Sequence, residues 1–355
     1  MTREPRIHSL DNPLQISLND DKSNVCNEMD DLKNAQRNLA VDFKAPINDL
    51  WRSLQGKTIL VTGGASGFGE SIIKTFLDQP DTAAIIADQD DKKGKDSETS
   101  LCEAGCKVKY IQFDVTDWKS VISLFRGAFT WFRETCSPDR SIDHVVCSAG
   151  LPSEMVDLEP VQPEDFLNDD FATEPPSSRS ISVSVIGSLY IVTAAMKFAM
   201  GLHKPGEKDD KSITLFASLA GYNGISQKPD YTASKWGVRS LFRSLLDDKQ
   251  SASCPVRINL VAPYFVETPL LAHFVPSSRE AGIKFAEIED VRAAALRFIG
   301  YKSRHGRADG VWQDGPVDLC DGQAGGFASA ALEEAVEPGA LRFLSCQASK
   351  KRKMS

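Results

Sequence analysis

An excess of positive charge is the first thing this sequence lacks. Its 355 residues hold 41 Lys and Arg against 49 Asp and Glu, a net charge of −8. Nucleic acids and anionic membrane surfaces select basic faces, so neither is expected as a partner. Long apolar runs are missing too. No stretch reads as the roughly 18 apolar residues of a membrane-crossing helix, and the polar, acidic start does not read as a secretory leader. The eight Cys are scattered without a C-x-x-C pair. Cys102 and Cys106 can share a helix face, but no neighbouring His completes a metal set. The expectation is reduced thiols, no metal site and a cytoplasmic setting. The cluster Lys350, Lys351, Arg352 and Lys353 near the C-terminus reads as a solvated tail rather than a nuclear address.

What is present is an ordinary globular composition, with 41% hydrophobic and 25% charged residues. Residues 1–50, rich in Asp, Asn and Ser, read as a mostly disordered extension with one short helix around 28–40. From residue 51 to 322 short β-branched runs alternate with helical patterns. Strands are expected at 58–62, 83–87, 108–113, 144–147, 213–217 and 257–261, with one more short strand around 311–319. Helices are expected at 70–77, 91–104, 117–134, 180–201, 231–247 and 288–299. Repeated strand–helix units imply an α/β fold: one Rossmann-type, doubly wound parallel sheet of about seven strands with helices on both faces. The Pro-rich, acidic stretch 151–179 and the insertion 264–290 break the rhythm, and 323–355 reads as a tail. Phe265, Leu270, Leu271, Phe274 and Val275 make the second insertion an apolar lid, which suits a hydrophobic substrate.

After the first strand comes Thr62-Gly63-Gly64-Ala65-Ser66-Gly67-Phe68-Gly69, followed by a helix. Glycines let the backbone turn tightly and approach a pyrophosphate, and the helix N-terminus offers free N–H groups and partial positive charge. Gly63, Ser66, Gly67, Phe68 and Gly69 are therefore candidate dinucleotide contacts. Asp88 ends the second strand, 19 residues after Gly69. A carboxylate there accepts hydrogen bonds from a ribose and repels a 2′-phosphate, which favours NAD over NADP. Asp114 and Val115, after the third strand, can line an adenine, although Asp114 can equally cap a helix together with Asp117.

Tyr231-Thr-Ala-Ser-Lys235 supplies the chemistry. On a helix these two residues share a face. An ammonium beside a phenol, with a positive nicotinamide ring, lowers the phenol's pKa and suits it to exchange a proton with an alcohol. Ser218, 13 residues before Tyr231 and just past a strand, can hydrogen-bond the reacting oxygen at the same sheet edge.

These motifs resemble the short-chain dehydrogenase/reductase family over roughly residues 54–320. The marks are the glycine string at 62–69, Asp88, Asp114-Val115, Ala149-Gly150, Ser218, Tyr231-x-x-x-Lys235, and Pro263 with Thr268. The resemblance implies that Tyr231 and Lys235 also contact the cofactor, Lys235 through the nicotinamide ribose. It implies that Ala149, Gly150 and the segment Pro263, Val266 and Thr268 line the dinucleotide. It implies a small-molecule substrate and a homodimer or homotetramer built on the helices at 117–134 and 180–201. Within the family the chain is similar to the hydroxyprostaglandin-dehydrogenase-like group and to fungal members that oxidise polyketide alcohols, as in Phe113-Asp-Val-Thr-Asp-Trp118. Three positions depart from the family pattern: Ser148 replaces the Asn of Asn-Ala-Gly, Ser184 replaces an Asn that holds a relay water, and Tyr264 replaces the Gly after Pro263. The expected function is hydride transfer between NAD(H) and a secondary alcohol or ketone, with Ser218, Tyr231, Lys235 and Ser184 as the catalytic set. The alternative is a dinucleotide-binding regulator with little catalysis. His144 reads as a satisfied core residue, while His273 sits in the lid. Trp236 and Phe242 read as core or interface.

Overall fold

The computed structural model describes residues 47–152, 155–156, 162–167, 175–200, 210–246 and 256–321. Of the extension read at 1–50, residues 1–46 with the helix around 28–40 lie outside the described residues, as does the tail with its basic cluster, whereas residues 47–50 are helical rather than disordered.

Eight strands form one sheet: β1 (Thr58–Thr62), β2 (Ala83–Asp88), β3 (Lys107–Gln112), β4 (His144–Cys147), β5 (Lys211–Phe216), β6 (Val256–Pro263), β7 (Ala308–Trp312) and β8 (Gly315–Asp318). Their spatial order is β3-β2-β1-β4-β5-β6-β7-β8, parallel throughout except for β8. The sequence pattern follows from this order. β1, β4, β5 and β6 lie inside the sheet with helices on both faces and are buried along their whole length. β3 is an edge strand, and its KVKYIQ alternates between exposed and buried positions.

One expectation is corrected. The single strand anticipated around 311–319 is a hairpin of β7 and β8, so the sheet has eight strands rather than about seven. The chain reverses at Gln313-Asp314-Gly315, where Gly315 has φ +98°, a conformation glycine adopts without strain.

The helices are α1 (Ile47–Leu54), α2 (Gly67–Leu77), α3 (Asp91–Glu103), α4 (Trp118–Thr135), a long α5 beginning at Arg179, α6 (Pro229–Leu246), α7 (Val275–Glu280) and α8 (Ile288–Gly300). They sort onto two faces. Val121, Leu124, Phe132 and Phe242 fill one core with Ile191 of α5, and Ile72, Ile73, Phe76, Phe298 and Ile299 fill the other. Truncating a fully buried phenylalanine such as Phe76 or Phe132 to alanine costs about 3–5 kcal/mol.

α5 is not uniform. It passes through a π-helical turn at Ser182–Ile186, an α-helical stretch at Gly187–Ala194, and a second π segment at Ala195–Met200. Contrary to the reading of the bare sequence, its run Arg179–Phe198 is long and apolar enough to cross a membrane by length and composition. Its apolarity has an account in the fold: it packs between α4 and α6 and buries Ser184, Gly187, Ile191, Val192 and Ala194. At the α6 contact a Cβ on Gly237 would stand 2.6 Å from Val185 Cγ2, so the absence of a side chain sets how closely the two helices approach.

Candidate active site

The sheet order reverses between β1 and β4, and a crevice opens at the carboxyl ends of the strands there. The glycine string leaves β1 into α2 at this point. Gly63 has φ +67°, and a Cβ there would stand 2.9 Å from the Cα of Ala149, which follows β4. A Cβ on Gly69 would meet the Gly63 carbonyl at 2.3 Å. The turn thus closes only with glycine, and Ser66 stands at the N-cap of α2 without a side-chain cap bond. This backbone cradle at the start of an 11-residue helix fits a pyrophosphate.

Asp88 ends β2 beside it. One carboxylate oxygen accepts from Ala65 N–H at 3.1 Å and the other from Asp90 N–H at 3.1 Å. The residue therefore holds the glycine turn while keeping lone pairs for a ribose. Ser148, where the family has asparagine, donates its hydroxyl to the Thr62 carbonyl at 2.6 Å, and Ala149 N–H donates to Thr62 Oγ1. The departure at 148 thus keeps β1 tied to β4. Asp117, not Asp114, caps α4, accepting from Lys119 and Ser120 N–H groups. Asp114 is exposed and closes its own turn with Thr116, and Val115 packs behind it against Gly187.

The catalytic candidates converge on the other side of the crevice. Ser218 follows β5 and opens a 3-10 turn. Its hydroxyl donates to the Pro263 carbonyl at 3.2 Å and accepts from Ala220 N–H. Tyr231 and Lys235 lie on α6, with Lys235 Nζ 5.6 Å from the Tyr231 ring centre. Lys235 Nζ donates to the Phe216 carbonyl at 3.4 Å. A Cβ on Gly150 would lie 3.5 Å from that ammonium and 3.9 Å from Ser184 Oγ, so Gly150, Ser184 and Lys235 surround one small space. Ser184 sits in the π-helical turn of α5, buried and without a hydrogen-bond partner among the described residues. Such π turns often mark functional sites.

The electrostatics correct one expectation. Burial pushes the Tyr231 phenol above its ordinary value, and a hydrogen bond with Ser218 draws it back only in part. Burial also lowers Lys235, to about 8. Desolvation penalises both charged forms, and within the protein alone it outweighs the acidifying effect expected from the lysine.

A cavity of about 180 Å³ opens above these groups. Phe68, Gly150, Ser218, Tyr231, Lys235, Pro263, Val266 and Thr268 line it, with the apolar Leu219, Ile225, Leu270, Leu271 and Phe274. Phe68, inside the glycine string, stacks on Phe216 at 5.8 Å between ring centres. The insertion after β6 folds over the cavity as a 3-10 turn, Pro269–Leu271, and α7, pinned by a bridge between Val266 and Ala286. Tyr264 lines the cavity, and its ring packs edge-on against Phe265. His273 is exposed and is not among the lining residues. His144 is buried against Ser212, its Nδ1 2.9 Å from the hydroxyl, and burial lowers its pKa. Phe242 is fully buried, whereas Trp236 is 46% exposed and belongs to the surface.

Sequence reasoning missed two features. Lys228 lines the cavity just ahead of the helix that carries Tyr231, and no sequence motif marks it. Asp321 is buried and binds Arg239, Arg243 and Tyr222, tying the end of the fold to α6 one turn beyond Lys235. Nothing local in the sequence marks that pairing.

Known proteins resemble this chain in sequence and fold. The profile of the short chain dehydrogenase family matches residues 57–278. The 5'-hydroxyaverantin dehydrogenase of Dothistroma septosporum is 34% identical over 289 residues, covering 79% of this chain and 92% of the relative. An NADP-dependent dehydrogenase of Cochliobolus lunatus is 30% identical over 258 residues, covering 69% of this chain and 85% of the relative. The crystal structure of a 3-ketoacyl-(acyl-carrier-protein) reductase from Brucella melitensis, complexed with NADH, superposes with a TM-score of 0.58 at 23% identity. It covers 73% of this chain and 98% of that one, and shows the shared fold. The chain belongs to the short chain dehydrogenase family of NAD(P)-binding oxidoreductases.

Proposed function

We propose that this protein oxidises a hydrophobic, polyketide-like secondary alcohol, or reduces the matching ketone, with Tyr231 as the proton-transferring group and NAD rather than NADP as cofactor. The observation that carries the reading is the convergence of Ser218, Tyr231 and Lys235 at the floor of a mostly apolar cavity beside the glycine cradle. The relatives named as hydroxyaverantin dehydrogenases support the substrate class.

The residues divide the task. Gly63, Ser66, Gly67 and Gly69 with the α2 N-terminus hold a pyrophosphate, and Asp88 takes the adenosine ribose. Ala149, Gly150, Val266 and Thr268 line the path of the dinucleotide. The nicotinamide, when bound, supplies the hydride acceptor in oxidation and the hydride donor in reduction. Ser218 hydrogen-bonds the carbinol oxygen, and Tyr231 accepts its proton or returns one. Burial raises the phenol, so the positive charge that an oxidised nicotinamide would supply beside Tyr231 would favour its phenolate. Lys235 holds the nicotinamide ribose, and Ser184 holds a water that links Lys235 to solvent.

Asp88 supports NAD because a 2′-phosphate beside its carboxylate would be repelled. The NADP-dependent relative makes this a point to measure. The protein is offered NAD and NADP with a panel of neutral secondary alcohols, and formation of the reduced cofactor is followed optically. Turnover with NAD, favouring apolar alcohols over sugars, is expected. Cofactor binding without turnover across the panel would overturn the assignment. We also propose a homodimer or homotetramer built on α4 and α5, since Ile186, Leu189 and Phe198 stand exposed on α5. A monomeric mass in solution would refute it.

A further inference from the structure

We propose that Asp321 is a positioning residue for the reaction: through Tyr222 and Arg239 it fixes the turn that carries Ser218 against the helix that carries Tyr231 and Lys235. The proposal rests on the dehydrogenase reading for the reaction it serves. Tyr231, Lys235, Arg239 and Arg243 follow one another at four-residue spacing along one side of α6. Tyr231 and Lys235 reach the cavity, whereas Arg239 and Arg243 pair with Asp321, which lies just past β8. The Asp321 carboxylate is fully buried. It accepts from Arg239 Nε at 2.7 Å and Nη2 at 2.8 Å, from Arg243 Nη1 at 2.8 Å and from the Tyr222 hydroxyl at 2.9 Å.

Tyr222 closes the turn that Ser218 opens. Within it Gly221 N–H donates to the Ser218 carbonyl at 2.8 Å and Tyr222 N–H to the Leu219 carbonyl at 3.0 Å. The turn presses on α6: a Cβ on Gly221 would stand 2.7 Å from the Lys235 carbonyl oxygen. Arg239 completes the clamp. Its Nη1 donates to the Gly221 carbonyl at 3.3 Å, and its guanidinium lies 4.1 Å from the Tyr222 ring centre. A buried carboxylate is tolerated only while its partners stay in place, and bidentate pairing with arginine demands a narrow geometry. Moving the turn away from α6 would break that pairing, so the network resists the displacement that separates Ser218 from Tyr231. An error of about 1 Å in such a placement can cost about 10²-fold in rate. Asp321, Tyr222 and Arg239 do not line the cavity, and act only through the groups that do. The dinucleotide cradle is built by other elements, β1, α2 and Asp88 of β2, and the bonds that hold Asp88 involve none of these residues.

The competing role for Asp321 is that of a staple for the end of the fold, with no bearing on chemistry. The full-length native protein, Asp321→Asn and Tyr222→Phe separate the two. Binding sites are counted by NADH fluorescence. Turnover of an apolar secondary alcohol with NAD gives kcat per site and KM, and amide exchange of the NADH complexes is read by mass spectrometry. Asp321→Asn is expected to lower kcat per site about 30-fold, and Tyr222→Phe, which removes one hydroxyl, about fivefold. KM and NADH affinity stay within about threefold of the native values. Exchange quickens in residues 218–222 and 229–236 and is unchanged in 62–77. Should Asp321→Asn fail to fold, Tyr222→Phe decides alone. A native kcat per site in every variant that folds would overturn the proposal, even with a lowered melting temperature. So would NADH affinity lost in step with kcat. Native turnover with unaltered kcat in the variants sinks only the role of Asp321. No turnover of any alcohol by the native protein sinks the dehydrogenase reading, and exchange then decides the clamp. Quickening confined to the two segments upholds it, and exchange equal to native, or quickened throughout, overturns it.

Discussion

Asp88 and Ser184 each hold a structural position as well as the chemical role proposed for them. Asp88 accepts two backbone hydrogen bonds, one from the glycine turn at Ala65. Asp88→Ala therefore removes both a support and a charge. The expected result is weaker NAD binding, with the NAD-to-NADP preference shifted toward NADP by roughly tenfold, measured as the ratio of kcat/KM values. An unchanged ratio would assign Asp88 to the turn alone. Ser184 is buried with no described partner for its hydroxyl. Removing a hydroxyl that only sat unsatisfied would stabilise the protein, whereas removing one that holds a relay water slows proton movement. Ser184→Ala is expected to lower kcat about tenfold, with cofactor affinity unchanged and melting temperature equal or higher. A kcat equal to that of the native protein would remove Ser184 from the relay.

At the scale of elements, the turn between β1 and α2 is the part with least tolerance. A methyl group on Gly69 would overlap the Gly63 carbonyl at 2.3 Å, and neither backbone can yield without opening the cradle. Gly69→Ala is expected to abolish measurable dinucleotide binding by calorimetry and to destabilise the fold by about 1–3 kcal/mol in urea unfolding. Retained affinity would show that the cradle is not the binding element. This turn was legible in the sequence because its glycines sit between an apolar run and a helix, and the register of β1 and β4 places Ala149 against it. Most strands were legible for a related reason: a strand buried on both faces must be apolar along its length. The hairpin of β7 and β8 was not separated, although Asp314-Gly315 is a hairpin signal, since small and polar residues obscure both strands. The π turns of α5 have no local signature, and the lid's packing depends on a bridge between Val266 and Ala286, far apart in the chain. Lys228 escaped notice because only the folded lid turns an ordinary polar loop residue into a cavity wall.

Across the whole molecule, charge is buried in places remote from the crevice, and this makes stability depend on pH. Asp309 on β7 is buried among Arg304, Arg307, Arg297 and Asp318, and burial raises its carboxyl to about 8. The folded value lies above the ordinary 3.8, so the neutral form is favoured by folding. Its stabilising contribution is complete below about pH 4 and is lost as pH rises toward 8. Asp309→Asn keeps the shape and removes the titration. Its melting temperature relative to the native protein should therefore be higher at about pH 8 than at about pH 5, and a difference independent of pH would contradict the assignment. The proposed chemistry turns on Tyr231. The most direct measurement compares the native protein with Tyr231→Phe in the oxidation of an apolar secondary alcohol, after both are shown to fold and to bind NAD equally. A loss of about 10²–10⁴-fold in kcat is predicted, the usual contribution of a positioned proton-transfer group. Turnover at the native rate would contradict the account.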